Sequence, residues 1–220
     1  MNPAMVPILM IGLFAVMIGL VGWAAARQSK LTNENIRQLA AALGLQLEEE
    51  PPVLGIFYPE ARAAGRLRGK RVELFPFATG SGKSRTQWSA VAAALPAACG
   101  LTFHLQRQGF GSKFMELFGA REIQTGDAEF DAAWFIQTNQ PEYFREALLP
   151  ELRAKITSLV RELGSRARGM EFRLEQGVVR YAEIGSFASG DCLKRCQRAV
   201  EIVCDLADLA EVFTDQKPGN

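Results

Sequence analysis

The feature that most constrains this chain is an uncharged apolar run near its amino terminus. Residues Ala4 to Ala26 read AMVPILMIGLFAVMIGLVGWAAA and carry no charged side chain. In a helix such a run is about 34 Å long, enough to cross the ~30 Å hydrocarbon core of a bilayer. The run therefore predicts one transmembrane helix over residues 4–26, with a short external terminus at 1–3 and a soluble domain at 27–220.

A cleaved signal peptide is the alternative, because Ala24 and Ala26 fit a small-x-small cleavage site. Signal peptides, however, open with a basic stretch and have a shorter apolar core. No Lys or Arg precedes this run, whereas Arg27, Lys30 and Arg37 follow it. The positive-inside rule then predicts an uncleaved anchor with its N-terminus outside and its domain in the cytoplasm. The four cysteines suit that reducing compartment.

Small residues recur within the apolar run at intervals of three and four. Small side chains on one helix face let two helices approach closely in lipid, where packing drives association. This stripe predicts contact with another membrane helix, from a partner complex or from a second copy, through Gly12, Ala15, Gly19, Gly22 and Ala26.

Charge is balanced overall but unevenly distributed. The net charge is +1, which argues against a nucleic-acid partner. Residues 27–113 carry a net charge of +6 and residues 114–220 a net charge of −5, which sum to that +1. The basic half follows the apolar run, as expected for a surface facing anionic headgroups. The candidates for contact with lipid or an acidic partner are Arg62, Arg66, Arg68, Lys70 and Arg71.

Periodicity in the remaining chain predicts an α+β domain with an antiparallel sheet of hairpins packed by helices. After a short linker, a helix from Thr32 or Asn33 is expected to end at Gly44. Hairpins are expected around Arg68-Gly69-Lys70 and Gln176-Gly177, with further strands at 87–95, 101–107, near 122 and at 134–137. Pro141 and Pro150 are expected in the first turns of helices, and a last helix is expected to open near Asp191.

Several motifs suggest chemistry but lack a required part. Gly80-Ser81-Gly82-Lys83-Ser84 resembles a phosphate loop, yet Phe77 replaces its first glycine and a strand pattern follows. Gly109 to Phe114 has two of the three glycines of a dinucleotide fingerprint, before a short helix expected at 113–118. The cysteines lack zinc-ligand spacing and predict buried thiols. The cluster Asp127, Glu129 and Asp131 lacks the glycine of a calcium loop and predicts turn and cap chemistry.

His104 is the single histidine, and it falls on the polar side of a strand pattern, where a surface position is expected. No serine lies in a nucleophile elbow, so the chain offers no recognisable nucleophile–base pair. The sequence therefore predicts no catalytic residues, no metal and no cofactor.

One stretch resembles a known pattern. It comprises Gly126-Asp127, Phe130-Asp131, Phe135 and Ile136, followed by Leu148-Leu149-Pro150-Glu151-Leu152. The pattern is similar to one in a family of bacterial membrane-anchored proteins of unknown function, over residues 60–165. The resemblance implies a bacterial membrane location and a structural core motif, and it implies no activity.

These observations favour a non-enzymatic, single-pass accessory or scaffolding subunit of the bacterial inner membrane. Its helix would pack within the bilayer while the cytoplasmic domain braces a larger complex, such as an energy-converting, respiratory or photosynthetic one. One alternative is a membrane-tethered ligand- or lipid-binding domain, or an enzyme, using Arg66, Arg68 or His104. The other is a homo-oligomeric scaffold in which the stripe pairs with itself.

Overall fold

The computed structural model describes residues 5–51, 59–97, 99–108, 121–163 and 169–216. Side chains are described throughout these ranges except at 5–9, 11, 121, 162, 163, 215 and 216. The motif predicted at Gly109 to Phe114 and the short helix predicted at 113–118 lie outside the described residues.

The first element is one uninterrupted helix, α1 (Met5–Leu43). The linker predicted after residue 26 is therefore wrong, as is the separate helix predicted from Thr32 or Asn33. Neither Gly nor Pro occurs between Trp23 and Leu43, so nothing in the sequence breaks the helix there. Gly44 ends α1 as predicted, with a φ of 68° that a residue without a Cβ adopts readily.

The strands of the described residues form one antiparallel sheet of nine strands in the order β1-β2-β3-β4-β9-β8-β5-β7-β6. The two predicted hairpins are confirmed, since Arg68-Gly69 joins β2 to β3 and Gln176-Gly177 joins β8 to β9. The strands are β1 (Gln46–Glu48), β2 (Arg62–Leu67), β3 (Lys70–Thr79), β4 (Thr86–Ala94), β5 (Phe103–Arg107), β6 (Arg121–Glu122), β7 (Trp134–Thr138), β8 (Met170–Glu175) and β9 (Val178–Ile184).

Four further helices follow in the described chain: α2 (Ala128–Ala133), α3 (Pro141–Ala147), α4 (Pro150–Leu163) and α5 (Gly190–Gln216). Pro141 and Pro150 begin α3 and α4, as predicted from their missing N–H groups. α5 begins at Gly190, close to the predicted start, and Asp191 lies in its first turn. A carboxylate in the first turn still complements the helix dipole.

The core lies between one face of the sheet and the helices. Alternate residues of the central strands point to this face, and each is fully or almost fully buried: Val72, Leu74, Val91, Phe172, Leu174, Val179 and Tyr181. α5 packs on β4 and β9, and α4 packs on α5. The α+β class with an antiparallel sheet packed by helices is therefore confirmed.

Candidate functional site

The last third of α1 is built into the domain. Ile36, Leu39 and Ala40 are buried in the core. Asn33 donates from Nδ2 to the Pro59 carbonyl at 2.9 Å, and its Oδ1 accepts from the Ala61 amide at 3.0 Å. These contacts fix the direction in which the rest of the helix leaves the domain.

A second pair of hydrogen bonds ties α1 to the segment after β9. The hydroxyls of Thr32 and Ser186 are 2.9 Å apart, and Asn35 Nδ2 donates to the Phe187 carbonyl at 2.6 Å. Thr32 is buried, so this junction is part of the domain interior. α1 is thus attached to the domain at two places, the residues just before β2 and the segment between β9 and α5.

The earlier part of α1 exposes a continuous apolar surface. Its large side chains are between about half and two thirds exposed: Met10, Leu13, Phe14, Val16, Met17, Ile18, Leu20, Val21 and Trp23. Within the described residues, a Cβ added at Gly12, Gly19 or Gly22 would meet no atom within 4 Å. Ala15 is exposed and Ala26 is half-buried, so most of the predicted stripe is open to a partner. Among the helices of the described chain, none combines the length and the hydropathy of a membrane span.

The basic hairpin is divided between internal ion pairs and exposed arginines. Arg68 Nη1 lies 2.6 Å from Asp205 Oδ1 and also pairs with Asp208 on α5. Lys70 is only 5% exposed and bonds to Asp208 and Glu211. Burial lowers the pKa of Lys70, but its bonds to the two carboxylates outweigh burial, and the pKa rises.

The ammonium of Lys70, one of the residues predicted to contact lipid or an acidic partner, is thus enclosed between the sheet and α5 and bonds to carboxylates of its own chain. Arg68 is also engaged with α5. Arg62, Arg66 and Arg71 remain exposed, with Arg71 paired to Glu73 on its own strand. Arg62 lies over the Phe75 ring at 5.8 Å. Of the predicted group of five, Arg68 is exposed but paired with α5, whereas Arg62, Arg66 and Arg71 are exposed without such a pair.

A buried polar cluster surrounds Glu183 on the core face of β9. Arg195 donates from Nε to Glu183 Oε2 at 2.7 Å and from Nη2 to Oε1 at 3.1 Å. Tyr181 donates its hydroxyl to Oε2 at 3.0 Å. The ligand atoms of Glu183, Cys192 and Cys196 lie within 4.8 Å of one another.

This trio has the residue types of a metal site but not its electrostatics. Both oxygens of Glu183 already bond to the Arg195 guanidinium, whose positive charge would repel a cation. Burial raises the pKa of Cys196, so its thiol stays protonated at neutral pH. We interpret the cluster as structural. The prediction of buried thiols is confirmed for Cys192, Cys196 and Cys204, while Cys99 is half-buried.

His104 is buried, which makes its predicted surface position wrong. It is 6% exposed on the sheet face opposite the core, with Nε2 3.2 Å from Glu171 Oε2. Arg180 Nη2 donates to the other oxygen of Glu171 at 3.1 Å. Burial raises the pKa of Glu171, but its interactions with His104 and Arg180 outweigh burial and lower it. Among the described residues, no hydroxyl or thiol bonds to His104, so no nucleophile–base pair forms there.

The arginines and the histidine named for a ligand pocket are far apart. Arg66 lies on β2 and His104 on β5, which are five strand spacings apart in the sheet. At about 4.8 Å per spacing they are separated by roughly 24 Å. They therefore cannot line one small-molecule pocket.

The remaining motifs are structural where they are described. Gly82–Ser84 forms a 3₁₀ turn and β4 follows it, so the predicted polar hairpin loop is confirmed. Asp127 caps α2 by accepting from the Phe130 amide at 3.1 Å. Asp131 accepts from the Thr125 amide at 2.8 Å and the Gly126 amide at 3.0 Å, as predicted. The acidic pattern thus folds a turn onto a short helix.

An apolar groove of about 430 Å³ opens between α3, α4 and α5. Leu152 and Leu209 line it, while Leu149 and Val212 at its margin are 57% and 48% exposed. Sequence reasoning missed this groove, because it depends on how α5 docks against two helices that are distant in the chain.

Comparison with known proteins gives one informative result. No protein-family model matches the chain, and no curated protein is significantly similar to it. The crystal structure of the mycobacterial trehalose monomycolate transport factor A, TtfA, superimposes with a TM-score of 0.54 at 13% sequence identity. The match covers 82% of this chain and 95% of that one, so the two share a fold.

Proposed function

We propose that this chain is a single-pass, non-enzymatic accessory factor that braces a larger membrane complex. The observation that carries the proposal is α1 itself. One helix holds both an exposed apolar surface and a segment buried in the domain core. Exposed apolar surface of this extent on a domain marks a contact with lipid or protein.

The sequence supports a bilayer as that contact. The uncharged run begins at Ala4, before the first described residue, and the basic residues Arg27, Lys30 and Arg37 follow its end. The domain would then lie in the cytoplasm of a bacterial cell. The fold likeness to a transport factor suggests complexes that move lipids as candidates, beside the energy-converting complexes expected from sequence.

A substitution in the stripe tests the proposal. Gly19→Leu adds bulk to the stripe, and close helix approach in lipid depends on small residues. Ala24→Leu adds a larger side chain on the opposite side of α1 and is the matched control. We expect Gly19→Leu, but not Ala24→Leu, to abolish co-migration with a partner after mild detergent extraction. The readouts are native gel separation and mass spectrometry of the co-migrating band.

Two results would count against bracing. Equal co-migration of both variants would remove the role of the stripe. Migration of the unaltered chain at the mass of a dimer would favour the homo-oligomeric scaffold instead.

A membrane-tethered ligand-binding domain is the second candidate, favoured by the groove between α3, α4 and α5. The leucines of its lining suit a hydrocarbon chain, while Glu151, Lys155, Asp205 and Asp208 also line it and suit a polar headgroup. Pockets of roughly 300–1,000 Å³ are typical of small-molecule sites. Migration of the chain alone as a monomer, with lipid released from it on denaturation, would support this candidate.

A further inference from the structure

The contacts of α1 show which end of the sheet lies nearest to the exposed apolar part of the helix. Asn33 is level with Ala61, just before β2 begins. Leu45, after the helix, lies against Gly65 farther along β2, where an added Cβ would be 3.2 Å from the Leu45 Cα. α1 therefore runs along β2, and the residues before Thr32 extend beyond the end of the sheet at which β2 starts.

The connection between β3 and β4 extends beyond the same end. Ala63 pairs with Leu74, so Phe75 is level with Arg62, and β3 continues four residues farther to Thr79. At about 3.3 Å per residue this extension is roughly 13 Å. Along α1, the nine residues from Thr32 back to Trp23 rise about 14 Å. Asn33 is level with Ala61, one residue beyond Arg62, which puts Arg27 about 12 Å and Trp23 about 18 Å beyond Arg62. The loop at residues 80–85 thus begins at about the level of Arg27, which follows the apolar run.

The loop presents two cations in a defined shape. Lys83 and Arg85 are exposed, and neither forms an ion pair with any described residue. Gly80 and Gly82 have φ values of 75° and 56°. A Cβ on Gly80 would lie 2.5 Å from the Ser84 carbonyl oxygen, so the tight turn requires glycine there.

Acidic groups at the same end of the sheet lie farther than this loop from the level of Trp23. Glu48 is level with Arg62, and Glu49 and Glu50 follow within two residues. Glu60 accepts a hydrogen bond from Gln87. On the strand rise these carboxylates lie from about 13 Å (Glu48) to about 7 Å (Glu50 and Glu60) behind the end of β3, and Glu49 and Glu50 line a groove together with Lys30. Lys83 and Arg85 therefore lie beyond these carboxylates, the nearer of which are within one Debye length of the loop.

We propose that Lys83 and Arg85 form a second membrane contact that binds anionic phospholipid headgroups beside Arg27 and Lys30. The inference rests on the proposed membrane-spanning role of α1. Before its stripe packs on a partner helix, α1 can rotate about its own axis in the bilayer and carries the domain with it, whereas a second contact to one side fixes the face that the domain presents to that partner.

The test uses the full chain in lipid nanodiscs. Ser84→Cys carries an environment-sensitive fluorophore in a Cys99→Ser background, because the other three cysteines are buried. Headgroup-labelled quencher lipids report contact. We expect strong quenching in discs containing phosphatidylglycerol, weak quenching in phosphatidylcholine alone, and loss of the difference in high salt.

Charge neutralisation supplies the decisive comparison. A basic residue near an anionic surface contributes about fivefold to binding, so Lys83→Gln with Arg85→Gln should lower the docked-to-undocked ratio on the order of 25-fold. Arg145→Gln with Arg161→Gln removes the same charge from two exposed positions on α3 and α4, which lie outside the predicted group of lipid contacts. That control should leave quenching unchanged.

The outcomes separate the loop contact from the anchor. Quenching that is independent of anionic lipid, or unaltered by the Lys83 and Arg85 substitutions, overturns the loop contact. Carbonate extraction tests the anchor independently: a chain released by carbonate refutes the membrane-spanning role itself. A chain retained in carbonate without headgroup quenching refutes only the inference drawn from the loop.

Discussion

Truncation of Ile36 tests whether the end of α1 is an integral part of the domain. The side chain is fully buried, with 0% exposure, among residues of the core. Large-to-small substitution at such a site costs about 2–5 kcal/mol, through lost transfer free energy and the cavity left behind. We expect Ile36→Ala to lower the free energy of unfolding of the full chain in a mild non-ionic detergent by that amount.

Leu20→Ala on the same helix is the matched control. Leu20 is 61% exposed, so its truncation should change stability by no more than about 0.5 kcal/mol. With a urea m-value of about 2 kcal/mol per molar, Ile36→Ala should shift the midpoint by roughly 1–2.5 M. Trp134 is 2% exposed and its fluorescence reports loss of the core. Equal midpoints for the two variants would refute the reasoning, because α1 would then contribute nothing to the domain.

Two further predictions concern the buried polar groups. Glu183→Ala leaves the Arg195 guanidinium, whose side chain is 12% exposed, without its carboxylate and should cost about 3–5 kcal/mol in thermal unfolding. Glu183→Leu combined with Arg195→Met should recover most of that loss; a double variant as unstable as Glu183→Ala would contradict this account. The folded-state pKa of Glu171 is lowered, so its stabilisation is present above its unfolded pKa of about 4.3 and is lost as pH falls through the folded pKa. Glu171→Gln should therefore flatten the acid limb of stability against pH, and unchanged steepness would contradict the assignment.

Local patterns predicted much of this fold because they act within a few residues. The alternation of Met170, Phe172 and Leu174 predicts a strand with one buried face, and all three are buried. The Gln176-Gly177 turn and the first-turn prolines follow from backbone constraints that act locally. Such local patterns do not predict the order of the strands in the sheet, because that order depends on pairs such as β4 and β9, which are distant in sequence.

The errors arose where distant residues decide the environment. Periodicity placed His104 on the sheet face opposite the core, and this is where it lies. Periodicity did not indicate that His104 would bond to Glu171, which is distant in sequence and is itself bonded to Arg180. The sequence pattern likewise did not show that Lys70, a candidate for contact with lipid or an acidic partner, would bond to Asp208 and Glu211, which lie 138 and 141 residues later.

The linker error has a different cause and a functional consequence. Residues 27–32 are polar enough to suggest a break, yet they include no helix breaker, and the helix continues through them. A flexible linker would tether the domain without orienting it. A continuous helix of 39 residues, about 58 Å long, instead transmits any tilt or rotation of its first half to the domain. Bracing a neighbouring complex requires that kind of fixed geometry, whereas capturing a diffusing ligand does not. The continuity of α1 is thus the structural reason to prefer a bracing subunit over a tethered ligand-binding domain.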